Sequence, residues 1–183
     1  MSNAPFTTKE LEQMLTEDFG DSFIKTSSKD RGWDKAIKQI KLVERNNPIV
    51  KSGVLESAGA HKTGKTTVAQ IAAWNHFGVQ KTKGPGIPAR PWMQIAIDKK
   101  LIKWERLAEF SVLKIYAGHW DVKKALDVIG TQMTADFKRS LTQLKEPPNA
   151  DSTIRRKKSS NPLIDSGQLR ASHGHAVFLG GKQ

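Results

Sequence analysis

Apolar residues recur at helical spacing along most of this chain and at strand spacing only near Ile49 and near its C-terminal end. Thr7 followed by Glu10 has the form of a capping box, and Leu11, Leu15 and Phe19 then share one face, predicting a short acidic helix over about residues 8–18 that Gly20 stops. The polar stretch Thr26 to Gly32 reads as a linker. Trp33, Ile37, Ile40 and Val43 predict a second helix, ended by Asn46-Asn47-Pro48. Ile49 to Glu56 reads as a strand entering a loop rich in Gly, Lys and Thr, and Val68, Ile71, Ala72 and Phe77 predict a helix closed by Gly78. Gly84-Pro85-Gly86 and Pro88 bar regular structure up to about Pro91. Ile95, Ile97, Leu101 and Ile102 suit either a strand entering a helix or the first turns of a long one; the helix is the preferred reading, over 93–117, with a second over 121–144. Gly118-His119 separates them, and Val122, Leu126, Ile129, Met133, Phe137, Leu141 and Leu144 form the buried stripe of the second. Pro147-Pro148 stops that helix. A basic turn or short helix, a tight turn at Ser166-Gly167 and a closing strand over about 176–179 complete the pattern. The domain reading is an acidic helix and linker arm at 1–32 and a single domain at 33–183.

Composition sharpens this picture in two ways. With 183 residues and 37% hydrophobic content the chain suffices for one sizeable core, and without cysteine it has neither disulfides nor thiolate metal sites, which fits assembly in a reducing cytoplasm. No apolar run reaches membrane-spanning length, and the N-terminus lacks the basic start and apolar stretch of a signal peptide, so neither a membrane role nor export is expected. The net charge of +12 is uneven: residues 1–34 hold four basic and seven acidic groups, a net −3, which leaves +15 on residues 35–183. Such a body attracts polyanions, nucleic acid foremost, although runs of lysine also serve as solvated faces. Arg155-Arg156-Lys157-Lys158 is the sharpest basic cluster, with three readings open to it: facing DNA phosphates, pairing with an acidic neighbour, or solvation.

Gly59 to Thr66, GAHKTGKT, fits the phosphate-binding pattern G-x-x-x-x-G-K-[ST]. In a true phosphate-binding loop the backbone amides cradle phosphate, Lys65 reaches its oxygens and Thr66 holds magnesium. Such loops belong to parallel sheets with alternating strands and helices, whereas beyond Gly78 this chain offers long helices and few strands. Gly59, Gly64, Lys65 and Thr66 are therefore read as a surface loop, and no cofactor is expected. His173 and His175 share a strand face but lack a third metal ligand nearby. Trp33, Trp74, Trp92, Trp104 and Trp120 sit beside aliphatic residues and read as core or subunit contacts before base-stacking platforms.

Two phrases in fixed order carry a resemblance: Ile87 to Trp92, IPARPW, and Pro162 to Ser172, PLIDSGQLRAS. With the Gly53 to Gly59 turn region and the Thr67 to Gly78 helix ending in Asn-His-Phe-Gly, they resemble the bacteriophage virion-morphogenesis or tail-completion family over roughly residues 50–177. Trp92 stands where that family usually has phenylalanine, Ser166 where it has threonine, and His173-Gly174 where an apolar strand residue is commoner. The resemblance implies a non-enzymatic α+β subunit with a small, mostly antiparallel sheet packed against long helices and repeated around a ring, a hexamer as the first expectation. It implies a virion protein of the neck, head-tail connector or tail terminator, assembled in the host cytoplasm, with itself, neighbouring connector and tail proteins and packaged double-stranded DNA as partners. On this reading Arg90 and Trp92, stiffened by Pro88 and Pro91, face an adjacent subunit; Leu11, Leu15 and Phe19 dock the arm; and Leu163, Ile164 and Leu169 anchor the C-terminal block. The alternatives are a small P-loop ATPase and a general DNA-binding protein.

Overall fold

The structure, a computed structural model, describes residues 31–55, 59–60, 66–81 and 86–180. The predicted arm, with Leu11, Leu15 and Phe19, lies outside the described residues. In chain order the elements are α1 (Arg31–Asn46), β1 (Ile49–Val54), α2 (Val68–Phe77), α3 (Trp92–Tyr116), α4 (Val122–Gln143), α5 (Asp151–Lys157), α6 (Gln168–Ala171) and β2 (His173–Phe178). The class is α+β, with one small antiparallel sheet among several helices. β1 and β2 pair from Ile49 opposite Phe178 to Val54 opposite His173.

Helix α3 begins where the proline-restricted segment ends: Pro91 cannot continue a helix backwards, and its carbonyl accepts from Ile95 N at 3.0 Å. The helix stops at Gly118, whose φ of 72° reverses the chain within a few residues. Asp121 caps α4 by accepting from Lys124 N at 2.7 Å, and Gln39 of α1 accepts from Val122 N at 3.0 Å, so a side chain of another helix satisfies a second orphan amide. The long helices α3 and α4 thus form a hairpin joined by a short turn, and α1 packs on α3.

The sheet lies on α4. Ser52 Oγ of β1 meets Thr134 Oγ1 at 3.0 Å, and His175 of β2 bonds Asp127 at 2.8 Å. One cluster joins Ala72, Trp92, Leu141 and Leu163, with Leu169, Ile164, Leu144, Met93 and Val54 against it; a second joins Ala96, Trp104 and Phe137. Leu163, Ile164 and Leu169 therefore anchor the C-terminal block. On α4, Val122, Phe137 and Leu141 of the expected stripe are buried, and so are Ala125, Gly130 and Asp136.

Gly130 sets how closely sheet and helix approach. A Cβ there would stand 2.5 Å from His175 Cδ2 and 2.8 Å from Val50 Cγ2, closer than packed atoms allow. Glycine to alanine at an open helical position stabilises by about 1 kcal/mol. Gly130→Ala is expected instead to destabilise by about 1–3 kcal/mol, the usual effect of overpacking. Urea denaturation measures it, and adding His175→Ala should recover part of the loss by removing the clashing ring.

Candidate functional site

The two phrases that carry the resemblance meet in space. Arg90 is held by its backbone, its N–H donating to Asn75 O of α2 at 2.8 Å, and its side chain runs inward, 4% exposed. Its Nε donates to Pro147 O at 2.8 Å, and its Nη2 donates to Pro148 O at 3.0 Å and to Asn149 Oδ1 at 3.3 Å. The guanidinium clamps the chain leaving α4 entirely through neutral acceptors, and burial pulls its pKa below the ordinary arginine value.

Trp92 is fully buried at the first turn of α3. Its indole Nε1–H donates to His173 Nε2 at 2.9 Å, and its carbonyl accepts from Ser140 Oγ of α4 at 2.7 Å. Because Nε2 of His173 accepts, its proton sits on Nδ1, which donates to Leu169 O at 2.9 Å. Both ring nitrogens are thereby assigned to a neutral imidazole. His76 of α2 packs edge-on against Trp92 with ring centroids 5.0 Å apart, and its buried Nδ1 has no partner among the described residues. Burial lowers the pKa of both histidines; for His173 the nearby Lys138 ammonium adds to this, opposed by the backbone acceptors of Leu169 and Arg170.

These positions correct the expectation for Arg90 and Trp92. Neither side chain is presented outward to a neighbour, because each is buried against segments of its own chain that lie distant in sequence. The proline-stiffened loop does hold them in fixed positions, but toward the interior. His173 and His175 likewise have separate engagements, with Trp92 and with Asp127.

The basic cluster divides. Arg155 and Arg156, in the last turn of α5, are exposed, and so is Lys158, which ends the helix at φ 53°. Lys157 turns inward: its ammonium donates to Asn161 O and Pro162 O, each at 3.1 Å. Burial lowers its pKa, Asp165 opposes that, and Arg90 and Arg156 reinforce it, so the four residues do not form one solvent-facing surface. Gly64 and Lys65 of the phosphate-loop pattern lie outside the described residues. At its neck Ala60 bridges Thr67, Val68 N donates to Gly59 O at 3.1 Å, and Gln168 Nε2 donates to Ala60 O at 3.3 Å. Helix α2 opens on a capping box in which Thr67 Oγ1 accepts from Gln70 N and Gln70 Oε1 accepts from Thr67 N. Both of those amides are engaged within the chain, and among the described residues β1 pairs only antiparallel.

Sequence reasoning passed over Asp136, whose carboxylate is buried in α4 beside Phe137. It accepts from Trp104 Nε1 at 3.0 Å, Gln132 Nε2 at 2.8 Å and Arg139 Nη1 at 3.3 Å. Burial alone would raise its pKa, but the Trp104 and Gln132 hydrogen bonds and the charges of Lys103 and Arg139 outweigh it, and the carboxyl stays below its ordinary value. The signal available in sequence was Gln132 and Arg139, placed four before and three after Asp136 on one helix. Asn161 was passed over as well: it accepts from Leu163 N and donates to Thr142 O at 2.9 Å, and the Ser-Ser-Asn-Pro run marks such a turn.

Among the described residues no group of acidic residues and histidines fits a metal ion, and no helix is long and apolar enough to cross a membrane. No family model, curated protein or solved structure matches the chain.

The two depressed histidines have a defined pH consequence. Their neutral forms are favoured in the fold, so their contribution to stability is complete above the unfolded value of 6.5 and is lost as pH falls below it, where only the unfolded chain takes up the protons. Urea midpoints measured at about pH 7.5 and 5.5 should therefore fall with acidification, and His173→Gln should show a smaller fall than the parent.

Proposed function

We propose that this protein is a structural subunit of a bacteriophage virion, acting at the neck or head-tail junction as a tail-completion or terminator protein. In this reading copies of the chain close into a ring around the DNA path and join tail to head. The observation that carries the proposal is the convergence of the two family-like phrases: Trp92 of IPARPW packs with Leu163 of PLIDSGQLRAS and bonds His173 just after it, while Arg90 bonds Pro147, Pro148 and Asn149 where the C-terminal segment leaves α4. Phrases that recur in fixed order are expected to share a structural task, and here they lock the C-terminal block onto the helical body. The basic body supports proximity to DNA, with exposed Arg155, Arg156 and Lys158 as the phosphate-facing candidates.

A ring requires a heterologous interface, one surface of each subunit meeting a different surface of the next. Negative-stain imaging of the purified full chain is expected to give closed rings, alone or with a connector protein, and labelled chain should localise to the upper end of the tail in virions. A monomer at all concentrations together with absence from virions would overturn the reading.

The rival nucleotide-hydrolysing reading needs Lys65 to hold phosphate. Lys65→Ala is expected to leave thermal stability and virion assembly unchanged. Saturable ATP binding, or hydrolysis abolished by that substitution, would favour the rival.

A further inference from the structure

Arg90 and Lys157 open onto a shared groove of about 850 Å3, whose walls include Asn149, Ser152, Arg156 and Asp165. Lys81 also lines it. The two recessed cations are held by neutral oxygens alone: Arg90 by Pro147, Pro148 and Asn149, and Lys157 by Asn161 and Pro162. Burying cations against neutral acceptors leaves their charge incompletely compensated. Asp165 is the one carboxylate on the groove wall among the described residues, against Lys81, Arg90, Arg156 and Lys157.

Donor capacity also remains. Arg90 has five N–H donors and places three on Pro147, Pro148 and Asn149, leaving two on Nη1; Lys157 has three and places two, leaving one. Charged N–H donors left over in a groove suit carboxylate oxygens, with which they form charge-assisted hydrogen bonds. A DNA duplex is a poorer fit, since it carries its phosphates on a wide rigid cylinder and would meet exposed Arg155 and Lys158 before the buried guanidinium.

We infer that this groove is a docking site for carboxylate side chains of the chain's own acidic N-terminal segment, contributed by the same copy or by a neighbour. Between Glu10 and Asp21 that segment carries Glu10, Glu12, Glu17, Asp18 and Asp21 and no cation, so its charge complements the groove. The described residues begin at Arg31, and the preceding thirty residues, at most about 100 Å when extended, give ample reach. The inference does not depend on ring assembly, since an intramolecular contact satisfies it equally.

Zero-length carbodiimide coupling of the full chain, read by peptide mass spectrometry, tests this, because it joins lysines only to carboxylates in contact. Mixed light and heavy isotope labelling separates contacts within a copy from those between copies. Links from Lys157 or Lys81 to Glu10, Glu12, Glu17, Asp18 or Asp21 are expected, and they should be lost in Arg156→Glu, an exposed substitution that leaves the fold intact by circular dichroism. The inference is overturned if those carboxylates link only to lysines elsewhere or to none, if Lys157 links only to Asp165, or if duplex DNA protects the groove lysines from acylation.

Discussion

The hydrogen bond between Trp92 and His173 is the constraint on which the remaining structure depends. An indole N–H buried at the start of α3 must find an acceptor, since leaving it unpaired costs about 1–3 kcal/mol. It finds one at the first residue of β2, and that choice propagates. His173 must be neutral with its proton on Nδ1, and Leu169 O must be in place to receive that proton, which fixes the junction of α6 and β2. His173 also stands opposite Val54, so the same residue sets one end of the sheet register. Ser140 on the Trp92 carbonyl and His76 on its ring bring in α4 and α2.

The chain treats its buried charges differently according to sign. Asp136, whose carboxylate is buried, receives donors from a tryptophan, a glutamine and an arginine, and its ionised form is favoured. The recessed cations Arg90 and Lys157 receive main-chain carbonyls and an amide oxygen, which tie down the non-helical segments after α4 and α5. In a chain this basic, carbonyls of a proline-interrupted segment are convenient acceptors: they have no helical partner of their own, and a cation satisfies them without consuming a scarce carboxylate. The outcome is a C-terminal block held by charge-assisted hydrogen bonds around the apolar anchors Leu163, Ile164 and Leu169.

Packing leaves several large apolar side chains on the outer surfaces of α2 and α3, with Phe77 at 77% exposure and Ile102 at 66%. Together with the exposed cations at the end of α5, they give the described surface both apolar and electrostatic character. Both kinds of contact suit a protein whose proposed role lies in assembly, where specificity comes from several modest contacts repeated around an axis.

Helices α1 to α4 were legible in the sequence because helical periodicity and its stop signals are local, whereas the short α6 shows no such period. Pro91 and Gly118 bracket α3, Asp121 and the Pro147-Pro148 pair bracket α4, and each acts within a turn or two of its own position. β1 was legible from Ile49, Val50 and Val54. β2 was placed too late, because His173-Gly174-His175 shows no apolar alternation and becomes a strand only by pairing with β1 and resting on Gly130. The importance of IPARPW was also visible in sequence, but not the direction its side chains take. Arg90 and Trp92 point inward because their partners lie more than fifty residues away, and no local pattern records which distant carbonyl or imidazole will meet them. Asp136 escaped notice for the same reason, since an aspartate within a helical stripe belongs to the buried face only when another helix supplies its donors. Sequence alone determined the long periodic helices, their stop signals and the uneven charge; the tertiary structure decided where β2 begins and which polar groups are buried, because both depend on partners brought together only by folding.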